Sequence, residues 1–214
     1  MSERLTRQQR RDLTRQQLLD AAAVVFSARG YHAASLDEIA DAAGFTKGAV
    51  YANFASKEDL FLALVRERQA QMLDAFFLAA EERADTGTTP PPAITDVFRR
   101  LSPSPEEFAL WQEFELYARR QPELLARLRA DNNAMFAQLV ALVEHRWQSL
   151  ETEPPLPPVA LARLYVAIFD GLTRQRAIDP ETVPDELFSE LIDFVDHAAH
   201  TLTPHESREA PPAR

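Results

Sequence analysis

Residues 36–61 read LDEIADAAGFTKGAVYANFASKEDLF, and this stretch decides the fold. Leu36, Ile39, Ala40 and Ala43 recur at three- and four-residue spacing, the period of one buried helix face. Ser35 and Glu38 form a capping-box pair that opens this helix, and Gly44 closes it. A second short helix is predicted from Thr46 to Tyr51 or Asn53, and Ser56 with Asp59 caps the start of a third. Two short helices crossing at a tight turn make a helix-turn-helix, for which Ala40, Gly44 and Val50 supply the small and apolar packing positions. The second helix of such a pair lies in a DNA major groove with its N-terminal side chains toward base edges. Here that helix presents Thr46, Lys47, Gly48 and Ala49, then Tyr51 and Asn53. Glycine inside a helix costs about 0.5–1 kcal/mol relative to alanine, so Gly48 points to close backbone approach. Lys57, in the first turn of the next helix, opposes the helix dipole and calls for an outside anion such as phosphate. The competing expectation places Tyr51 and Phe54 in the core and leaves both lysines solvated.

Outward from this stretch, apolar residues keep the helical period, and no strand is predicted. The expected fold is all-α, with an N-terminal three-helix helix-turn-helix domain, a C-terminal helical bundle and about nine helices in total. The first helix runs from about Thr14 to Arg29, buries Leu18, Leu19, Ala22, Val25 and Phe26, and stops at Gly30. The fourth runs from Ser56 to about Arg83. Residues 86–92 (TGTTPPP) and 153–158 (EPPLPP) read as loops. Between and after them, helices are expected over Ala93–Leu101, Pro105–Tyr117, Leu124–Leu150, Val159–Ala177 and Leu187–Leu202. The domain boundaries expected are 1–55 for a DNA-binding domain with a basic N-terminal arm, 56–202 for an effector-binding and dimerisation domain, and 203–214 for a disordered tail.

The formal net charge of −10 argues against a polyanionic partner until it is mapped. Residues 1–60 carry eight basic and eight acidic side chains, whereas residues 61–214 carry 15 basic and 25 acidic. Arg4, Arg7, Arg10, Arg11 and Arg15 stand against only Glu3 and Asp12 at the start of the chain. The distant acidic body is screened beyond about 10 Å at 0.1 M salt. Lysine occurs only at 47 and 57. The absence of cysteine excludes disulfides, thiolate nucleophiles and cysteine metal sites. No apolar run reaches the roughly 20 residues that cross a bilayer, and no signal peptide is read, so a cytoplasmic protein is expected.

The stretches LLDAAAVVFSARGY (18–31) and ASLDEIADAAGFTKGAVYANFASKEDLF (34–61) resemble the DNA-binding domain of the TetR/AcrR family of bacterial transcriptional regulators. That resemblance covers about a quarter of the chain. It implies an all-helical homodimer that reads a palindromic double-stranded operator, with repression relieved by a small-molecule effector of unknown identity. By the same resemblance, Ser35, Thr46, Tyr51 and Lys57 contact phosphates, and Lys47 and Gly48 approach bases. Asn53 stands where histidine is frequent in the family and still offers a donor to phosphate. With Arg15, these residues make the candidate DNA-binding set.

Two apolar stripes mark the C-terminal part: Leu161, Leu164, Ile168 and Leu172, then Leu187, Leu191, Phe194, Val195 and Ala198. They are expected to pair with their symmetry mates, joining the dimer through residues 159–177 and 187–202; the alternative is that both are core within one subunit. A further aromatic set, Phe76, Phe77, Trp111, Phe114, Tyr117, Met135, Phe136 and Phe169, is a candidate effector lining, with Gln112, Asn132 and Asn133 as polar anchors. The plainer alternative is a filled aromatic core. Two recognition helices enter successive major grooves only at a separation near 34–36 Å, so a ligand that tilts the fourth helix changes that separation and weakens binding. No catalytic residue, cofactor or metal is expected. His197 and His200 sit near Asp193 and Asp196, but no wider ligand array completes them, and there is no phosphate-binding glycine loop or nucleophile elbow. The remaining functional alternative is a helical adaptor or small-molecule-binding protein without DNA binding.

Overall fold

The computed structural model describes residues 6–86, 98–99, 102–149, 153–154, 156–184 and 186–202, without the side chains of 79–86, 149 and 196–202. All regular structure among the described residues is helical. The elements are α1 (Arg7–Ala33), α2 (Leu36–Ala43), α3 (Lys47–Tyr51), α4 (Lys57–Thr86), α5 (Pro105–Ala118), α6 (Pro122–Ser149), α7 (Pro158–Ile178) and α8 (Leu187–Leu202). The helix expected over 93–101 and the tail expected over 203–214 lie outside the described residues, apart from Phe98 and Arg99, which are helical.

The chain forms two compact units. The first comprises residues 1–72 and 103–135, and the second comprises 73–102 and 136–214. The first unit therefore holds α1–α3, the N-terminal half of α4, α5 and the first half of α6.

Local sequence accounts for most of the first unit's boundaries. α1 begins seven residues before the expected Thr14, at Arg7, because Thr6 and Gln9 form a capping box that the apolar pattern does not reveal. Its buried residues are Leu18, Leu19, Ala22, Phe26 and Tyr31. Gly30 breaks the helix with φ 74° and ψ 167°, and one further turn follows through Ala33. Ser35 and Glu38 cap α2 reciprocally, and Gly44 ends it in the left-handed conformation. Thr46 caps α3 by accepting from the Ala49 amide. The caps hold two short helices that propensity alone would not sustain.

Aromatic rings fill the centre of this unit. Phe61 stacks on Phe114 with centroids 4.2 Å apart and meets Phe26 and Tyr31 edge-on at 5.1 and 5.2 Å. Leu18, Ile39, Val50, Phe54 and Leu60 complete the core. Removing each such side chain from water contributes about 1.5–3 kcal/mol, which binds α2 and α3 to α1 and α4.

The second unit has two apolar clusters. Phe98, Leu172, Val183, Phe188 and Ile192 form one, against which Phe76 and Phe169 pack. Val143, Trp147, Leu161 and Ala162 form the other, joined by Phe136 and Val195.

The two positive-φ glycines separate backbone strain from crowding. Nothing lies within 4 Å of a Cβ built on Gly44, whereas a Cβ on Gly30 would lie 2.9 Å from Glu113 Oε2. Gly44→Ala is expected to cost about 1 kcal/mol, the left-handed penalty alone. Gly30→Ala occupies a region open essentially only to glycine and adds the clash, so its loss is expected at about 2–3 kcal/mol. Urea denaturation of both variants checks the order; equal losses would show that the Glu113 contact is slack.

Candidate nucleic-acid interface

Ser35, at the start of α2, and Thr46, Lys47, Gly48 and Tyr51, beyond the turn into α3, lie at the surface. Tyr51 is 50% exposed, so its ring is not core, while Phe54 at 1% is. Val50, the residue before Tyr51, is fully buried, which fixes the face of α3 that looks outward. The hydroxyl of Thr46 accepts from the Ala49 amide at 3.3 Å, leaving its proton to donate outward. Ser35 both accepts from the Glu38 amide and donates to the Glu38 carboxylate, so its hydroxyl is engaged in its own cap. A Cβ on Gly48 would meet only Thr46 Oγ1, at 3.8 Å, so internal packing does not require glycine there.

Lys47 Nζ lies 2.8 Å from the Asp37 carboxylate, and both side chains are exposed. The hydrogen bond with Asp37, and then its charge, holds the lysine above its ordinary pKa. An exposed pair of this kind contributes little stability and exchanges readily for another anion.

Three residues of the candidate set turn inward. Lys57 donates to the carbonyls of Tyr31 at 2.9 Å, His32 at 3.3 Å and Ala34 at 3.0 Å. Its ammonium also sits 4.6 Å from the centroid of the Tyr31 ring. The negative partner expected from outside is thus supplied by the C-terminal carbonyls of α1, where a cation complements the dipole. Arg15 donates to the Asn53 carbonyl at 3.1 Å and lies 4.3 Å from the centroid of the Phe54 ring. The Asn53 amide donates back to the Ala49 carbonyl at 2.8 Å, closing the end of α3. These three side chains place the surface more than they compose it.

Two participants carried no signal in the sequence. Asp37 is ten residues from Lys47, a spacing outside any single-helix period. Glu113 accepts from the amides of Tyr31 at 3.0 Å and His32 at 2.9 Å, across more than eighty residues.

The candidate effector lining divides between the two units. Trp111, Phe114, Tyr117, Asn132 and Met135 belong to the first, and Phe76, Phe136 and Phe169 to the second. Phe114 is 2% exposed and fills the core against Phe61. Trp111 and Tyr117 pack at the edge of the same core. The exposed Asn132 accepts from Gln69 at 3.2 Å. Phe76 and Phe169 meet edge-on at 6.2 Å, and Arg163 stacks over Phe136 at 4.7 Å. Gln112 and Asn133 are exposed, as is Phe77, which stacks on His145 at 6.0 Å.

A cleft of about 540 Å³ in the first unit is lined by Tyr117 together with Ser56, Glu58, Gln121, Glu123 and Arg127, a polar wall that includes no other member of the candidate lining. Within it the Tyr117 hydroxyl donates to Glu58 at 3.1 Å. Burial pushes the Glu58 carboxyl up, but its own amide and hydrogen bonds from Ser56 and Tyr117 outweigh this and leave it below the usual range. Burial first, then Glu58, raises Tyr31 and Tyr117. The side chains of His197 and His200 lie outside the described residues.

Residues 18–64 match the family described as bacterial regulatory proteins of the tetR family, and residues 93–202 match the C-terminal region of BetI-type transcriptional repressors. The HTH-type transcriptional repressor AcnR of Corynebacterium efficiens is 27% identical over 187 residues, covering 86% of this chain and 90% of its own. The HTH-type transcriptional activator FasR of Mycolicibacterium smegmatis is 55% identical over 56 residues, so the match spans only 26% of either chain. Among solved structures, a putative TetR-family regulator from Mesorhizobium loti superposes with a TM-score of 0.68 at 19% identity, covering 92% of this chain and 98% of that one. The fatty acid degradation regulator FadR of Bacillus halodurans gives 0.61 at 19% identity, covering 95% and 100%. At these identities the structural matches establish the fold.

Lys57→Met keeps the aliphatic stem and removes the charge that three carbonyls share. A loss of about 1.5–3 kcal/mol in unfolding free energy is expected, the range for hydrogen bonds to a charged group. Thermal and urea unfolding measure it, and an unchanged variant would show that water serves those carbonyls equally well.

Proposed function

We propose, because the chain belongs to the TetR family of bacterial regulatory proteins, that it is a cytoplasmic homodimeric repressor that binds a palindromic operator and is released by a small-molecule effector. The protein is a transcriptional regulator, and no helix among the described residues is long and apolar enough to cross a membrane. The observation that carries the DNA-binding reading is the outward face of α3. Thr46, Lys47, Gly48 and Tyr51 are exposed together on a capped helix whose opposite face, Val50, is locked in the core.

In this reading Lys47 leaves Asp37 for the DNA, trading one exposed anion for another. Gly48 lets the α3 backbone approach the groove, Tyr51 and Thr46 donate to phosphate, and Ser35 approaches the backbone with the α2 terminus. Arg15, Asn53 and Lys57 act from beneath, by holding α3 and the end of α1. The functional division falls at 1–55 for DNA contact and 56–202 for effector binding and dimerisation, with 203–214 as a tail. Repression is favoured over activation because the resemblance to AcnR, named a repressor, runs over most of the chain, while that to the activator FasR is confined to the helix-turn-helix end.

The dimer reading draws on α7 and α8. Leu161 and Leu172 are buried within one protomer, so they do not serve as contacts between protomers. Leu164, Ile168, Leu191 and Val195 are half-buried, and Phe194 is 71% exposed; these remain for a partner. Effector contacts are proposed at Phe76, Phe136 and Phe169 in the second unit, with Trp111, Phe114, Tyr117, Asn132 and Met135 responding through the first.

Duplexes selected by the protein from a random-sequence pool provide the operator for a gel-shift titration. Affinity should fall steeply with salt, and Lys47→Ala should flatten the slope by about one per half-site. Asp37→Asn should tighten binding, since it frees the lysine and removes a repelling carboxylate. Binding that is absent or insensitive to salt would favour the adaptor reading. For the assembly, sedimentation should give a dimer at micromolar concentration, and Phe194→Glu should shift it to monomer; a wild-type species of 24.1 kDa alone would reject the dimer.

A further inference from the structure

We propose that Glu113 is a positioning residue for DNA recognition, its carboxylate clamping the corner from which α2 and α3 depart. The inference deepens the regulator reading and rests on it.

The kink at Gly30 interrupts the helical ladder of α1, so the amides that follow need acceptors from elsewhere. Glu113 supplies both. Oε2 takes the Tyr31 amide at 3.0 Å and Oε1 takes the His32 amide at 2.9 Å. Each carboxylate oxygen serves one N–H, in charge-assisted bonds about twice as strong as neutral ones. On the carbonyl side, Lys57 holds Tyr31, His32 and Ala34. The corner is therefore gripped through its donors by α5 and through its acceptors by α4. Ser35, the cap of α2, follows immediately in the chain. Gly30 belongs to the same device, because any Cβ there would lie 2.9 Å from Glu113 Oε2.

The placement of Glu113 in the chain gives this grip its regulatory sense. It lies within residues 93–202, the part that matches the C-terminal region of BetI-type repressors. Yet α5 packs in the same compact unit as α1–α3. A displacement of α5 must either carry the 31–34 corner with it or break the two bonds. Either outcome moves or loosens the helix-turn-helix without any contact between ligand and DNA surface.

Glu113→Gln separates positioning from charge, because the two predict opposite signs. Removing a carboxylate from a protein that binds a polyanion strengthens binding if the residue acts through its field. If it acts as a clamp, glutamine offers one oxygen and turns an N–H donor toward the second amide. The full-length variant, titrated against a duplex selected by the wild-type protein and well below its unfolding temperature, should bind about tenfold more weakly with an unchanged salt slope, the loss expected for one charged hydrogen bond. Hydrogen exchange at the Tyr31 and His32 amides should accelerate. Equal or tighter binding, or unaltered exchange at those amides, overturns the proposal. Should Glu113→Gln fail to fold, Glu113→Asp keeps the charge and shortens the reach by one methylene; weakened binding supports the clamp, and wild-type affinity overturns it. A wild-type protein that selects no DNA overturns the regulator reading and this inference together, whereas wild-type binding with an unaffected variant overturns the inference alone.

Discussion

The exposed face of α3 depends on one ammonium group seated among three main-chain carbonyls. Lys57 joins the end of α1 to the start of α4, and everything between those two points is the helix-turn-helix. A segment containing helices of eight and five residues has little stability of its own. Closing it at its ends, and filling it with Ile39, Val50 and Phe54, turns it into a fixed projection. Arg15 repeats the logic from the opposite side, stapling the end of α3 to α1 through the Asn53 carbonyl and the Phe54 ring. Two of the basic side chains that composition invites one to assign to phosphate are thus consumed in building the platform, and Lys47 and Tyr51 are what it presents.

Much of the platform was legible because it is local. Ser35 and Glu38, Gly44 and Thr46 act within four residues of themselves, so their spacing carries the meaning, and the core positions of α1 and α2 follow from the helical period. The Thr6 cap was equally local, but no apolar stripe accompanies it, and the start of α1 was therefore placed late. The roles of Lys57 and Glu113 were not legible for a different reason. Each satisfies backbone groups, and every residue has the same backbone groups, so no side-chain pattern marks the recipient. Lys57 does oppose the dipole of its own helix; the negative charge it requires is the end of another helix, 23 to 26 residues earlier.

The aromatic residues show where pattern reading gives out. Phe61, Phe114, Tyr31 and Phe26 make a ring cluster in one unit, and Phe76, Phe98, Phe169 and Phe188 make a second in the other. In sequence the two groups are interleaved and alike. Only the packing separates the rings beneath α2 and α3 from those of the second unit, and it also assigns α5 to the first group although its sequence falls in the C-terminal match.

The scarcity of lysine has a practical corollary. Of the two lysine amines, one is tethered to carbonyls and the other stands exposed at the start of α3. Amine-reactive dyes, crosslinkers and sensor-chip coupling will therefore gather at Lys47, apart from the chain terminus, and mask the very surface being assayed. Attachment through an engineered cysteine on a distant helix, in a chain that has none, leaves that face open.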